Sequence, residues 1–345
     1  MNPSVNTVRL PWRDRTGYRL TILILLALFA VGAFFFSLRF GTLKLSIGQV
    51  IATLFSGDDN VNSQIIQNIR LPRNLTAALV GICLALSGAI LQGVMRNPLA
   101  APDLIGISAG GGLAAVIVLV ALPEYYQLLV PSAFLGAMAA AFMIYLLAWK
   151  RGIQPMRMVL AGVAISSLLG AMISTLLILN PERVTGILDF MVGSMSARSW
   201  KEVRLIWPYA LGGMTVAFLL SRRLNILVLG DATATSLGIN VERTRLILIV
   251  LSALLAAAAV SVAGLLGFVG LVAPHMMRLV IGSDYRFLLP SCALFSAGLL
   301  MTCDTLGRMV MEPTELPVGI IMALLGAPFF LYLLRSRIRN ETGNR

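Results

Sequence analysis

The sequence predicts an all-α membrane protein, a polytopic bundle of about ten transmembrane helices with two short helices on its cytoplasmic face. Three observations predict it. The 345 residues are 58% hydrophobic with a mean hydropathy of +0.88, and charged residues make up only 12%. Apolar residues gather into runs of about 18–24, the length a helix needs to cross ~30 Å of hydrocarbon, where a membrane barrel would show ~10-residue alternating segments. Finally, the net charge of +12 is confined to the gaps between those runs.

The expected spans cover residues 20–39, 74–95, 104–122, 127–149, 156–179, 205–221, 246–263, 269–281, 287–309 and 317–335. The first follows Arg9, Arg13, Arg15 and Arg19. It is too long for a signal-peptide core and lacks a small-residue cleavage site, so it is expected to remain as a span. The second opens with Arg70-Leu-Pro72-Arg73-Asn74. Pro72 and Asn74 suit a helix start, and two arginines there oppose a dipole that favours anions. That placement fits either interfacial anchoring or an external acidic partner. Small residues crowd several spans: Gly81, Ser87 and Gly88 in the second, Gly110 to Gly112 in the third, Gly162 and Gly170 in the fifth, and Ala256 to Ala259 in the seventh. Such faces let helices approach closely in lipid, where van der Waals packing drives association.

Between the sixth and seventh spans lies the most structured polar stretch, Leu229 to Thr244. Asp231 is expected to cap a short helix, Gly238 to end it in a left-handed turn, and Asn240 to cap a second short helix. The stretch reads either as an amphipathic loop or as a docking element for a cytoplasmic partner. The eighth span is short, contains Pro274, and follows Gly264-Leu-Leu-Gly267-Phe-Val-Gly270, so non-helical backbone shielded by protein is expected there. In the ninth, Asp304 lies four residues before Arg308 and can pair with it.

Ten spans place both termini on one side. That side carries 18 basic and 6 acidic residues, the other 9 of each, so the whole excess lies on one face. The positive-inside rule makes that face cytoplasmic. Residues 20–335 then form a single transmembrane domain between cytoplasmic tails at 1–19 and 336–345. The cations, mostly arginine, face anionic lipid, because no soluble basic domain exists to hold nucleic acid.

Chemistry within the chain is nearly excluded. His275 is the only histidine, so no histidine-based metal site or triad can form. It serves packing or hydrogen bonding, or else touches a substrate or metal. Cys83, Cys292 and Cys303 all fall within spans and read as packing residues. No Gly-Lys dipeptide occurs, so there is no Walker A loop, and no catalytic, cofactor or metal site is expected. If the chain moves a solute using ATP, another chain must hydrolyse it. An ion-coupled secondary transporter would need ionisable residues near mid-membrane, and Asp304 is the main one. An intramembrane enzyme would need clustered mid-span acids, which are missing.

Taken together, Ile69-Arg-Leu-Pro-Arg73, Gly81-x-x-Leu-Ala-Leu-Ser-Gly-Ala-Ile-Leu-Gln92, Arg96-Asn-Pro-Leu-Ala-Ala-Pro-Asp-Leu-Ile-Gly106, Leu160-Ala-Gly-Val163, Leu229 to Gly238, Gly267-Phe-Val-Gly-Leu-Val-Ala-Pro-His275-Met-Met-Arg278, Leu316-Pro-Val-Gly319 and Leu325-Gly-Ala-Pro328 carry a resemblance. The chain resembles the permease subunits of bacterial ABC importers for ferric siderophores, haem and cobalamin, over nearly its whole length. The resemblance implies an inner-membrane permease working as a pair, with a copy or a paralogue, on two cytoplasmic ATPase subunits, with a substrate-binding protein docking from outside. It implies a ferric siderophore as cargo, with haem or cobalamin as alternatives. By the same resemblance, Leu229, Gly230, Asp231, Ala232, Thr233, Ala234, Thr235, Ser236, Leu237 and Gly238 couple to the ATPase, and Arg70, Arg73 and Arg308 meet acidic residues of the binding protein. Asn97 and Leu99 lie near the cytoplasmic gate, whose other part falls at Gln154, Pro155 and Met156. There the small hydroxyl residues of the cobalamin-type member are missing.

Overall fold

A computed structural model describes residues 16–41, 45–55, 60–103, 106–149, 155–311 and 314–342. Arg9, Arg13, Arg15 and Gln154 lie outside the described residues, as does the very end of the C-terminal tail.

In chain order the elements are α1 (Thr16–Arg39), α2 (Ile47–Phe55), α3 (Val61–Gln64), a π-helical turn (Ile65–Arg70), α4 (Leu71–Val94), α5 (Ile107–Ala121), a 3-10 turn (Pro123–Leu128), α6 (Leu129–Ala148) and α7 (Pro155–Leu179). A second 3-10 turn (Pro181–Arg183) leads to α8 (Val184–Val192), α9 (Trp200–Val228), α10 (Asp231–Ser236), α11 (Val241–Ala263), α12 (Val269–Ile281), α13 (Tyr285–Val310) and α14 (Val318–Thr342). Each expected span has its helix. Seven are long and apolar enough to cross a bilayer, and α5, α12 and the apolar part of α14 are shorter.

The bundle is built around α4 and α11. Of their apolar windows 83% and 78% are buried, against 11% for α1 and 17% for α7. The small residues explain this placement. A Cβ on Gly88 of α4 would stand 1.8 Å from the Gly270 carbonyl oxygen of α12, so only glycine fits. Pro274, four residues on, has no amide to bond that carbonyl, which leaves it facing α4. Beside this contact, Ser87 and Ser252 are fully buried and hydrogen-bond across α4 and α11, with 2.7 Å between the hydroxyls and 2.8 Å from Ser87 Oγ to the Ser252 carbonyl.

At 13 residues, α12 is about 20 Å long by its rise per residue, too short to cross alone. The expected non-helical segment completes the path. Phe268 adopts a left-handed conformation (φ 66°). The Leu265 amide donates to the Phe190 carbonyl (2.9 Å), Ser194 to Ala263 (2.9 Å) and Gly319 to Gly193 (3.0 Å). Broken backbone inside the bundle thus has its polar groups satisfied by neighbouring chain, as lipid requires.

Two local expectations need correction. Residues 61–94 run as one helical stretch through the π-turn, so Pro72 and Asn74 do not start a helix; Asn74 instead donates from Nδ2 to the Phe34 carbonyl at 3.0 Å. Asn240 does cap a helix, accepting from the Arg243 amide at 3.0 Å, but that helix is α11 itself. Between α9 and α11, therefore, only one short helix, α10, stands free.

Candidate functional site

Three groups of residues bear on function, two at one end of the bundle and one at the other. At the first end, α10 projects from the turn after α9. Ala234 alone is fully buried; Leu229 and Leu237 flank the helix and are 64% and 57% exposed. Its C-terminus closes as expected: Gly238 is left-handed (φ 79°), its amide donates to Thr235 (2.9 Å), and the Ile239 amide donates to Ala234 (3.0 Å). This is a Schellman turn, which satisfies the last carbonyls of a helix too short to satisfy them itself. Asp231 departs from expectation. The N-cap is Gly230 and no side chain caps the helix. The Asp231 carboxylate turns instead to Arg245 of α11 (2.8 Å) and Arg96 of the α4–α5 loop (3.4 Å). The result is a small, rigid knob with two exposed leucines, a surface that suits a groove on a partner.

The gate residues of the sequence reading share this end of the fold. Asn97 and Leu99 form a tight turn in which Asn97 Oδ1 accepts from the Leu99 amide at 3.0 Å. Pro155 and Met156 begin α7, and Met156 is 72% exposed. No described contact joins the two parts within this chain. Further along α7, a cavity of about 460 Å³ opens between α5, α7, α8 and the non-helical segment. Asp103, Ser108, Ser174, Met191, Leu265 and Gly267 are among its lining residues.

At the opposite end Arg70, Arg73 and Arg308 come together, although they are far apart in sequence. All three are buried. Arg73 forms a two-pronged pair with Asp304, Nε and Nη2 each 2.9 Å from a carboxylate oxygen, and reaches Glu315 from Nη1 at 2.8 Å. Arg70 donates to the Leu38 carbonyl (2.7 Å), and Arg308 to the Ser37 and Phe40 carbonyls (3.2 and 3.1 Å). These are terminal carbonyls of α1, where the helix dipole attracts cations. The dipole conflict expected for Arg70 and Arg73 is thus absent: both sit within one helical stretch, Arg70 complements the end of α1, and Arg73 is paired with two carboxylates. The expected Asp304–Arg308 pair exists at 3.5 Å but is secondary to Arg73.

Several residues escaped sequence reading. Arg96, Arg245 and Glu315 contact expected site residues, but each pairing joins segments distant in sequence, and no spacing signals it. His275 packs edge-on against Phe329, with ring centroids 5.9 Å apart. All three cysteines are buried and free. No cluster of metal-ligating side chains occurs among the described residues.

Known proteins resemble the chain along most of its length. The profile of the FecCD transport family matches residues 25–336. The Fe(3+)-citrate import system permease protein YfmE of Bacillus subtilis is 41% identical over 323 residues, which is 93% of this chain and 97% of that protein. The cobalamin import system permease protein BtuC of Halobacterium salinarum is 43% identical over 275 residues, 79% of this chain and 74% of that protein. A solved metal-chelate type ABC transporter in an inward-facing conformation superimposes with a TM-score of 0.83 at 31% identity, covering 92% of this chain and 99% of that one.

Proposed function

The chain belongs to the FecCD transport family, and from that premise we propose that it is the permease subunit of an ATP-driven importer whose cargo is a ferric siderophore. Haem and cobalamin are the alternative cargoes within the family. The observation that carries the ATP-driven reading is α10, a capped knob with Leu229 and Leu237 exposed at the end of a membrane bundle. A helix of that size, held by a Schellman turn at one end and Asp231 at the other, suits insertion into the cleft of a separate ATPase. ATP hydrolysis belongs to that partner, since this chain has no Walker A loop.

In this reading residues 20–335 form one permease domain, both termini are cytoplasmic, and α10 lies on the cytoplasmic face. A second permease, either a copy or a paralogue, completes the path. Residues 229–238 receive the ATPase, and Asn97, Leu99, Pro155 and Met156 border the cytoplasmic gate. The buried arginine cluster of Arg70, Arg73 and Arg308 attracts acidic residues of a substrate-binding protein on the outer face. The cavity beside α7 is a segment of the path wall. Its lining is mainly apolar, with the Ser108 and Ser174 hydroxyls and the Asp103 carboxylate as its polar groups, which suits passing a large chelate onward without holding it.

An ion-coupled mechanism is disfavoured by the setting of Asp304. Its carboxylate accepts a hydrogen bond from Arg73 on each oxygen, which commits it to a structural pair. The test is uptake of radiolabelled ferric chelates into proteoliposomes containing the permease, ATPase and binding protein. Uptake is expected only with all components and ATP. Uptake by the permease alone, driven by a proton gradient, would overturn the proposal.

A further inference from the structure

We infer that Arg96 is a positioning residue that links α10 to the 97–99 turn through Asp231, so that displacement of α10 is passed directly to that turn. The inference rests on the reading of α10 as the ATPase-coupling helix and of the 97–99 turn as part of the gate, and it deepens that reading by naming the connection.

The geometry is specific. Asp231 Oδ1 stands between two guanidiniums, 2.8 Å from Arg245 Nη2 and 3.4 Å from Arg96 Nη2. Arg245 is buried in the first turns of α11, so it seats the start of α10 against the bundle. Arg96 is exposed and sits in the loop that leaves α4. Its backbone is left-handed (φ 50°), a conformation uncommon for a residue with a Cβ. Its side chain also reaches Gly230, where a Cβ would stand 3.5 Å from Arg96 Nη1; Gly230 itself has φ 114°. Arg96 therefore lies against the start of α10 at two consecutive positions.

On the other side of Arg96 the loop is stiff. The Arg96 amide donates to Gly93 (3.2 Å), the Asn97 amide to Gln92 (3.1 Å), and Asn97 Oδ1 closes its turn on the Leu99 amide. A shift at Arg96 is thus carried to Leu99 with little slack. The two ion pairs differ in kind. The Arg245 pair is shielded, with the Arg245 side chain 5% exposed, whereas the Arg96 pair is open to solvent, with side chains 39% and 49% exposed. An exposed pair contributes little to folding. Removing Arg96 should therefore spare the fold and disturb only transmission.

The experiment uses the complete transporter, permease with its ATPase subunits, carrying Leu99→Cys in the permease. Native Cys83, Cys292 and Cys303 are buried, so a membrane-impermeant maleimide added from the α10 side reports the introduced thiol. Labelling is compared without nucleotide and after ATP–vanadate trapping. We expect the labelling rate to change by roughly threefold or more on trapping, as a two-state shift of the turn requires. Adding Arg96→Gln should abolish most of that change while leaving the amount of trapped nucleotide the same, and Arg96→Lys should retain it. Asp231→Asn is the second variant and should show the same loss. A full labelling change in Arg96→Gln overturns the linkage, as does an unchanged turn in the trapped parent. Absence of trapped nucleotide in the parent complex instead removes the ATP-driven reading, and the linkage with it.

Discussion

At Arg73 the fold and the proposed docking role make demands on the same side chain. Its guanidinium is buried with Asp304 and reaches outward to Glu315, whose side chain is 36% exposed. Removing one partner of a buried pair leaves an uncompensated charge, which costs about 3–5 kcal/mol. Asp304→Ala should therefore lower the thermal midpoint of the purified permease sharply, whereas Glu315→Ala, at the rim, should cost less than about 1 kcal/mol. Thermal unfolding of both variants in one detergent checks the contrast, and equal losses would mean that Glu315 carries the site. Glu315 already pairs with Arg73 at 2.8 Å, so in the proposed docking role it competes with a binding-protein carboxylate for that guanidinium. If the outer cluster docks that protein, Glu315→Gln should tighten docking several-fold, since each 1.4 kcal/mol of relieved competition is worth a factor of ten. Titration of the binding protein onto the reconstituted permease reads this directly; an unchanged or weaker affinity counts against the docking role. Charge reversal at Arg73 is a poorer test, because a glutamate there would face Asp304 in the interior and damage the fold itself.

Between elements, packing is set by a few glycines. Gly88→Ala places a methyl group 1.8 Å from the Gly270 oxygen, and both are backbone-defined positions, so α4 and α12 must separate. Overpacking of this kind costs about 1–3 kcal/mol or more. Gly170→Ala in α7 meets nothing within 4 Å and should be neutral or stabilising by up to about 1 kcal/mol through helix propensity. Opposite shifts in the thermal midpoints of the two variants are expected, and a neutral Gly88→Ala would show that α4 and α12 are not in rigid contact. Gly88 was legible in sequence because small residues recur where helices meet in lipid, whereas Gly170, read the same way, meets no neighbour; the Gly264–Gly270 break was legible because a 13-residue span cannot cross alone. The start of α4 was not. Pro72 fits an N-terminus, yet it also tolerates a continuous stretch when a π-turn precedes it, and only packing against α1 decides between them. Asp231 was misread for a similar reason: its local capping role loses to two arginines brought close only by the fold.

Across the whole molecule, the end that carries α10 is tied together by a chain of side chains on five helices. Gln92 of α4 accepts from Arg278 of α12 (3.0 Å), and Arg278 donates to the Tyr285 hydroxyl of α13 (3.5 Å). The Tyr285 amide donates to Asn225 of α9 (2.9 Å), Asn225 donates to Asp284 (2.7 Å), and Asp284 pairs with Arg19 of α1 (3.5 Å). Asp284 also caps α13 through the Arg286 amide (3.1 Å). This belt joins α1, α4, α9, α12 and α13 into one block; α10 is seated beside it by the shielded Asp231–Arg245 pair and tied to the 96–99 loop only by the solvent-exposed Asp231–Arg96 pair. The belt depends on an ionised Asp284. Burial pushes its carboxyl up, but hydrogen bonds from Arg286 and Asn225 outweigh burial and hold it at about 2, below its ordinary 3.8. A carboxyl depressed on folding stabilises fully above its unfolded value and loses that contribution as pH falls through the folded one. The belt should thus weaken between pH 3.8 and about 2, by less than about 1 kcal/mol, because the Arg286 partner is open to solvent and an exposed pair is worth little. Asp284→Asn keeps the shape but not the charge, so it should be less stable than the parent at pH 7, and the gap should close as the pH approaches 2. Thermal midpoints of both proteins across that range test this, and a gap that persists at the acidic end would mean that Asp284 acts through packing and not through its charge.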